Sequence, residues 1–332
     1  MACWATRAAT TDLPDEPEQE HGMAIQKVAV IGVGLMGGGA ARNIMKGGFE
    51  VAVFDTDSNA VRTLAAAGAR GATSAADASD GADVVLTVLP EMAHVEAAVF
   101  GADGVAETAE KGTVLVQQST IDPATVIDLA RRLEPQGVAV LDAPMLRGPA
   151  AAEDGTLGFV VGGDEAALDR ARPVLDCMAD SVEHIGPVGT GSALKLVNNM
   201  LNVTILCAAL EATVLGVKSG LTLEQMMVAF SKTPAWARHL SGISQVFEDR
   251  DFSPGFMTTL GHKDIRLAMQ HATSLQVPLS VAHSAYELMA RAESQGYARD
   301  SYVSVLKVIE ETAGVTVQYE GKAPEGLPDW SI

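Results

Sequence analysis

The sequence is poor in basic residues and in cysteine. Its 332 residues include 23 Lys and Arg against 42 Asp and Glu, which gives a formal net charge of −19. Nucleic-acid affinity comes mainly from basic groups on phosphates, so this balance argues against a nucleic-acid-binding protein. The three cysteines show no disulfide or metal-site spacing. We therefore expect a reducing, cytoplasmic location and predict no metal ligands.

The chain also lacks a recognisable secretory signal and has only one long apolar run. Residues 1–23 contain no basic segment followed by an apolar one, and we expect them to be a disordered extension in which Met23 is a candidate natural start. The apolar run spans residues 193–217. Because it carries Lys195 and Glu211, we expect a buried helix in a protein without a membrane span.

Short apolar strands alternate with helical segments between residues 24 and 188. This alternation predicts an α/β fold, a Rossmann-type doubly wound parallel sheet. After a first strand that ends at Ile31, the predicted strands are 51–54, 71–73, 83–89, 113–117, 139–142, 158–163 and 182–185. The predicted helices are 38–46, 58–67, 74–81, 94–100, 123–133 and 164–178.

Helical periodicity dominates the rest of the chain. Residues 189–315 predict an all-α second domain, which opens with a long helix over 190–219. Pro and Gly from residue 314 onwards predict an irregular surface segment. We assign residues 316–332 to the C-terminal tail. The long apolar helix has more hydrophobic surface than a small bundle readily covers, so we expect a homodimer or homotetramer.

The first strand runs into a glycine pattern typical of dinucleotide-binding proteins. Gly-x-Gly-x-x-Gly follows the strand and precedes a helix and a second strand, which is the context that the fingerprint requires. The first glycine permits the tight turn, the second allows the backbone to approach a pyrophosphate, and the third allows close packing. The expected cofactor contacts in this loop are Gly32, Val33, Gly34, Leu35, Met36 and Gly37.

Asp55 follows the second strand and indicates which dinucleotide binds. An acidic residue there accepts hydrogen bonds from ribose hydroxyls and repels a 2′-phosphate, so NAD is favoured over NADP. No basic residue follows until Arg62. The alternative is a solvated aspartate that caps the helix 58–67, although Asp57 or Ser58 could supply that cap.

Lys195 and Asn199 are polar residues in the apolar helix. They are four residues apart and share one face, so they can address the same small molecule. Burial disfavours the ammonium and lowers a lysine pKa towards the range useful for proton transfer. The alternative is a lysine whose stem packs while its amine reaches water.

Several further segments follow the predicted strands and converge on one cleft, because ligands of such sheets lie beyond the carboxyl ends of the strands. With the glycine loop and the Lys195 helix, they resemble the β-hydroxyacid dehydrogenase family over about residues 27–311. The motifs occur in family order at 32–37, 118–123, 142–157, 191–199 and 263–264.

The resemblance implies an oxidoreductase that transfers a hydride between a nicotinamide dinucleotide and a small anionic 3-hydroxy acid or its semialdehyde. It makes Lys195 the catalytic acid/base and Asn199 a substrate-holding residue. Ser119 would contact substrate, although a loop serine more often bonds backbone. The residues that would contact the dinucleotide are Leu89, Pro90, His94, Thr120 and Lys263. For Lys263, a surface lysine paired with an acidic group remains the alternative.

The substrate loop departs from the family pattern Asp-Ala-Pro-Val-Ser-Gly-Gly. Leu146 and Arg147 replace the serine and the first glycine. Arg147 could grip the substrate carboxylate or a second anionic group, or it could be solvated or paired with Glu153 or Asp154. The expected substrate contacts here are Met145, Leu146, Arg147 and Gly148.

Two other functions fit parts of the pattern. Imine reductases resemble this architecture and cofactor cleft, but they commonly lack the lysine that stands here at position 195. A non-catalytic dinucleotide-binding protein would require the catalytic constellation to be accidental.

Overall fold

The computed structural model of this chain describes residues 25–321 and 323–328. The predicted extension at residues 1–23 lies outside the described residues, as do residues 329–332 of the tail.

The first part of the chain alternates strands and helices, as the sequence predicts. The strands are β1 (Lys27–Ile31), β2 (Glu50–Phe54), β3 (Arg70–Gly71), β4 (Val84–Thr87), β5 (Val114–Gln117) and β6 (Ala139–Asp142). The helices between them are α1 (Leu35–Lys46), α2 (Ser58–Ala66), α3 (Ala75–Ser79), α4 (Met92–Phe100) and α5 (Pro123–Leu133). These strands pair in the order β3-β2-β1-β4-β5-β6 and all run parallel. The predicted Rossmann-type sheet is confirmed.

Both faces of this sheet are covered by apolar cores, which explains why its strands are continuous hydrophobic runs. Val30, Leu86 and Val116 belong to the core on one face. Ile31 and Val85 belong to the core on the other face. The carboxyl ends of β1, β4, β5 and β6 therefore meet at one edge.

Beyond β6 the sheet departs from the predicted parallel order. The next elements are β7 (Met145–Leu146), α6 (Pro149–Asp154), β8 (Leu157–Gly162), α7 (Glu165–Leu175) and β9 (Ala179–Gly186). β8 runs antiparallel to β6 and β7 and parallel to β9. The sequence does not predict β7 and α6, because elements this short show no periodicity.

The remaining elements are helical, as predicted. They are α8 (Thr190–Lys218), α9 (Leu223–Phe230), α10 (Arg238–Gly242), α11 (Ser244–Asp249), α12 (Thr258–Ser274), α13 (Ser280–Ala292) and α14 (Val305–Ala313). α8 packs against α12, α13 and α14. Within the described ranges α8 is the one helix long and apolar enough to span a membrane. The expected burial of this helix holds on the side that packs against the other helices, whereas Leu194, Val197, Leu201 and Leu215 are exposed. The domain boundary near residue 188 stays a prediction.

The tail corrects one expectation. Residues 314–321 are irregular, as predicted, but Val317 and Tyr319 are buried in the core of the helical part. The Tyr319 ring meets Phe247 edge-on, with the centroids 5.9 Å apart. The prediction that this segment lies on the surface is wrong here, because a short alternation of apolar residues is hidden between Pro and Gly.

Candidate active site

The glycine loop between β1 and α1 is shaped by steric requirements. Gly32 has a φ of +90°, and a Cβ there would collide with the Val88 carbonyl. A Cβ on Gly37 would collide with the Gly32 carbonyl, whereas one on Gly34 would meet no protein atom within 4 Å. The open space at Gly34 lies beside the first turn of α1, where amide groups are free and favour an anion. The loop fits a dinucleotide pyrophosphate.

Asp55 ties this loop to the end of β2. Its Oδ2 accepts from the Val33 amide at 2.7 Å, and its Oδ1 accepts from the Asp57 amide at 2.8 Å. The cap of α2 is Asp57, whose side chain accepts from Asn59 N at 2.9 Å. Asp55 is thus not the helix cap that the alternative required, and its half-buried carboxylate stands beside the glycine loop.

Ser119 joins the loops that follow β4 and β5. Its hydroxyl accepts from Leu89 N at 2.8 Å and donates to Thr87 O at 3.3 Å. The backbone role raised as the alternative for Ser119 is therefore what the side chain does here, and its substrate role stays a prediction. His94 is exposed on the first turns of α4.

Lys263 reaches from α12 to both of these loops. Its amine donates to Pro90 O at 3.1 Å and to Thr120 O at 3.0 Å. The side chain is buried rather than on the surface, and its Nζ lies 3.2 Å from Asp264 Oδ1. The structure thus brings Lys263, Pro90 and Thr120 together, with the amine bound to backbone carbonyls.

Asp142 fixes the start of α8. Its buried carboxylate accepts from Gly189 N at 2.9 Å and from Ser192 N at 2.6 Å. A Cβ on Gly191 would lie 2.5 Å from the Asp142 carbonyl oxygen, so only glycine permits this approach. Burial raises the pKa of Asp142 to about 6, against the hydrogen bonds that favour its ionised form. This anchor sets Lys195 near the end of β6.

The amine of Lys195 is enclosed next to the substrate loop. It donates to the Met145 carbonyl at 2.7 Å. Burial lowers the pKa of Lys195; the charge of Asp264 opposes this effect and that of Lys263 adds to it. A lysine with a lowered pKa is more readily neutral, which is the state that proton transfer from an alcohol requires.

Asn199 is held by a residue to which sequence reasoning gave no role. Its Nδ2 donates to Asp264 Oδ2 at 2.6 Å, and its Oδ1 accepts from Asn198 Nδ2 at 3.0 Å. Asp264 is buried on α12. A signal existed in the sequence, because Asp264 shares the apolar face of Gly261, Ile265 and Ala268 at helical spacing.

The substrate loop places its arginine on an unexpected partner. Arg147 donates to Asp180 Oδ2 at 2.6 Å and to the Thr156 carbonyl. Its partner is neither Glu153, which pairs with Arg42, nor Asp154. Arg147 is therefore paired with an acidic residue, as the alternative hypothesis required, but that residue is Asp180.

A glycine loop with free space at Gly34, together with Lys195 and Asn199 on one face of α8, is typical of a dinucleotide-dependent oxidoreductase. Residues 27–186 match the NAD binding domain of 6-phosphogluconate dehydrogenase, and residues 189–309 match the NAD-binding domain of NADP-dependent 3-hydroxyisobutyrate dehydrogenase.

Similar proteins carry the same assignment. The chain is 37% identical over 300 residues to the NAD-dependent L-serine dehydrogenase of Pseudomonas aeruginosa, covering 87% of this chain and 100% of that one. It is 33% identical to 2-(hydroxymethyl)glutarate dehydrogenase of Eubacterium barkeri, covering 88% and 97%. The chain belongs to the β-hydroxyacid dehydrogenase family, as its motifs predict.

Solved structures agree with this fold. A structure of Mycobacterium tuberculosis 3-hydroxyisobutyrate dehydrogenase with L-serine matches with a TM-score of 0.80 and 31% identity, covering 86% of this chain and 99% of that chain. An imine reductase from Myxococcus stipitatus matches with a TM-score of 0.60 and 20% identity, covering 86% and 99%. The second likeness concerns the fold alone.

Proposed function

We propose that this chain oxidises a small 3-hydroxy acid, or reduces the matching semialdehyde, with Lys195 as general acid/base and NAD as cofactor. The observation that carries the proposal is the enclosed amine of Lys195, four residues from Asn199 on one helix face. An alcohol loses its hydroxyl proton as hydride leaves its carbon, and a neutral amine accepts that proton. In the reverse direction the ammonium returns it.

The cofactor cradle consists of residues from the first part of the chain. When bound, NAD supplies the hydride acceptor. Gly34 leaves room for its pyrophosphate, and Asp55 favours ribose hydroxyls over a 2′-phosphate. The other residues proposed to contact it are Gly32, Val33, Leu35, Met36, Gly37, Leu89, Pro90, His94 and Thr120. Lys263 acts by holding the Pro90 and Thr120 carbonyls in place.

The substrate class follows from chemistry shared by the relatives. L-serine, 3-hydroxyisobutyrate and 2-(hydroxymethyl)glutarate all contain a 3-hydroxypropanoate unit with a variable group on C2. In this chain Lys195 and Asn199 would address the hydroxyl end. Ser119, Met145, Leu146 and Gly148 surround the remainder of the proposed substrate site.

The remaining expectations concern the cell and the assembly. A net charge of −19 disfavours binding to nucleic acid and to anionic membrane surfaces. Cys177 and Cys207, the cysteines in the described part of the chain, are free thiols, which suits a cytoplasmic enzyme. We expect a homodimer or homotetramer built on α8.

The test is a substitution of the amine with a matched control. Lys195→Ala should lower turnover of the best 3-hydroxy acid by about 10²- to 10⁴-fold and leave the Kd for NAD unchanged. Lys218→Ala, which alters the last residue of the same helix where the amine binds Ala313 O, should keep normal turnover. If Lys195→Ala kept the wild-type turnover, Lys195 would not be the catalytic acid/base, and the imine reductase hypothesis would be favoured. Higher activity with NADP would contradict the role given to Asp55.

The pH dependence of the wild type gives a second readout. Oxidation requires the neutral amine, so kcat for oxidation should rise with pH and level off below the ordinary lysine pKa, because burial lowers the pKa of Lys195. Reduction requires the ammonium and should fall over the same range. A flat oxidation profile from pH 6 to pH 10 would disagree with general-base catalysis by Lys195.

A further inference from the structure

We propose that Arg147 and Asp180 form a positioning clip, which holds the Met145 carbonyl against Lys195 and leaves the enzyme selective for monoanionic 3-hydroxy acids. The inference rests on the proposed function, because it concerns the same catalytic amine. It assigns Arg147 to the protein framework and not to an anion on the substrate.

The clip joins a turn to two neighbouring strands. Arg147 directly follows β7 and has a φ of +70°, in the left-handed region that favours glycine. Its guanidinium donates to the carbonyl of Thr156, just before β8, and to Asp180 Oδ2 in β9 at 2.6 Å. A backbone conformation unfavourable for arginine is therefore held by contacts that a long side chain with several donors can make.

Asp180 owes its position to an irregularity in β9. The β8–β9 ladder pairs Leu157 with Ala179 and Gly158 with Ser181, so Asp180 is an extra residue between two paired positions. A bulge of this kind interrupts the alternation of a strand and redirects the side chain. The bulge supplies the position from which Asp180 meets Arg147.

The turn that the clip holds also contains the acceptor of the catalytic amine. Met145 lies two residues before Arg147, and its carbonyl accepts from Lys195 Nζ at 2.7 Å. β7 pairs Met145 with Phe159 and has only two residues, fewer than strands usually have. Its own pairing restrains the carbonyl weakly, so the clip adds a fixed point at the end of this strand.

Leu146 lies on the side of the sheet that bears the catalytic helix. A Cβ built on Gly158 would be 3.6 Å from Leu146 Cβ, and one built on Gly162 would be 2.7 Å from Thr190 Oγ1 at the start of α8. Positions 158 and 162 share one face, because side chains alternate along a strand. The residue that replaces the family serine is thus apolar and lies on the Lys195 side.

These contacts decide which anions the site accepts. The charge of Arg147 is paired with Asp180, its Nη1 donates to both Asp180 and Thr156, and the Leu146 side chain offers no hydrogen bond. A second carboxylate on the substrate would lose hydration without finding a partner in this loop, which is unfavourable. A substrate with one carboxylate and a small uncharged C2 substituent avoids that loss.

Breaking the clip from either side tests its role. The experiment compares Asp180→Asn, Arg147→Gln and the double variant in single turnovers with NAD and 3-hydroxyisobutyrate, a monoanion with an uncharged C2 substituent. Each single variant should slow NADH formation about tenfold. In steady-state assays KM should stay within about twofold, and in single turnovers the double variant should be no slower than either single variant. Glu153→Gln is the control, because it removes a comparably exposed ion pair with Arg42 from α6.

The ionisation of Lys195 gives a readout that needs no turnover. The pH dependence of its acetylation by trace acetic anhydride, followed by peptide mass spectrometry, reports its pKa. A carbonyl acceptor favours the ammonium, so loss of the Met145 contact should lower the pKa in both single variants. A purely electrostatic effect would move the pKa in opposite directions, because the variants remove opposite charges. Lys263 and Asp264 on α12, the other charged groups that act on the amine, stay unchanged.

Substrate preference completes the test. The wild type should prefer the monoanion over 2-(hydroxymethyl)glutarate by about tenfold or more in kcat/KM. The clip is wrong if Asp180→Asn leaves the single-turnover rate unchanged, or if it lowers KM for the dicarboxylate by freeing Arg147. If the wild type oxidises no 3-hydroxy acid, the proposed function fails, while the acetylation experiment still decides the clip.

Discussion

Asp264 acts on both Asn199 and Lys195. A carboxylate only accepts hydrogen bonds, so the end of the Asn199 carboxamide that faces Asp264 is its nitrogen. Asp264 takes one of the two amide hydrogens, and we propose that the other donates to a substrate oxygen. The same carboxylate raises the pKa of Lys195 against the larger effect of burial. Asp264 therefore orients the Asn199 carboxamide and affects the pKa of Lys195, the proton acceptor that we propose.

Two substitutions of Asp264 separate these effects. Asp264→Asn keeps an acceptor for Asn199 but removes the charge, so the acid limb of the oxidation profile should move to lower pH. Asp264→Ala also releases the carboxamide and should lower kcat about tenfold further. Steady-state kinetics across pH measure both.

A matched control for Asp264 is Asp122→Asn. Asp122 lies 3.5 Å from His271, and His271 is on α12, the helix that contains Asp264. Asp122→Asn therefore removes an acidic group that contacts α12 at a different point. An acid limb that does not move in Asp264→Asn, or that moves equally in Asp122→Asn, would refute the role of Asp264.

At the scale of elements, the sequence predicts what depends on local patterns. Segments 123–133 and 139–142 are predicted with the bounds that the structure has, because their periodicity and their Pro and Gly boundaries are local. The glycine loop and Lys195 are likewise visible as motifs. Contacts between distant elements are not local: neither the Asn199–Asp264 bond nor the bulge at Asp180 follows from the pattern of its own segment.

The hydrogen bonds of Asp142 at the start of α8 are another contact between distant elements. Their contribution to stability depends on pH in a measurable way. Burial raises the pKa of Asp142 from its ordinary 3.8 to about 6, so the folded chain binds a proton at a higher pH than the unfolded chain. Folded stability from this group is therefore present at low pH and is lost as pH rises through about 6. Asp142→Asn has no such titration.

We predict that the wild type becomes more stable relative to the Asp142→Asn variant as pH falls. With a pKa of about 6 in the folded chain and 3.8 in the unfolded chain, the difference between their unfolding free energies should change by roughly 2.5 kcal/mol in favour of the wild type between pH 7 and pH 4. Urea denaturation of both proteins at several pH values measures this difference, and Asp164→Asn, at the cap of α7, is the control. A difference that stays constant with pH would show that burial does not raise the pKa of Asp142 in the folded chain.

At the scale of the whole molecule, α8 has two unlike sides. One side forms the centre of the helical core, with Val203, Leu206 and Leu210 buried. The other side exposes a stripe that we define as Leu194, Val197, Leu201 and Leu215, which are 42%, 53%, 52% and 68% exposed. This stripe runs roughly 30 Å along the helix at 1.5 Å per residue. An apolar surface of that length is typical of a protein–protein interface.

We predict that a second copy of the chain covers this stripe. In an assembly with two-fold symmetry each interface residue meets its own counterpart surface, so Leu201→Glu would place a charge on both sides of the contact and leave it without a partner. The variant should weaken the dimer about a hundredfold or more in Kd, with circular dichroism unchanged because Leu201 is exposed in the single chain. Light scattering after size exclusion measures the mass. Leu275→Glu is the control, since Leu275 is 61% exposed beyond the end of α12 and outside the stripe. A wild type that is monomeric at micromolar concentration, or a Leu201→Glu variant that keeps the wild-type mass, would leave the stripe without a role in self-association.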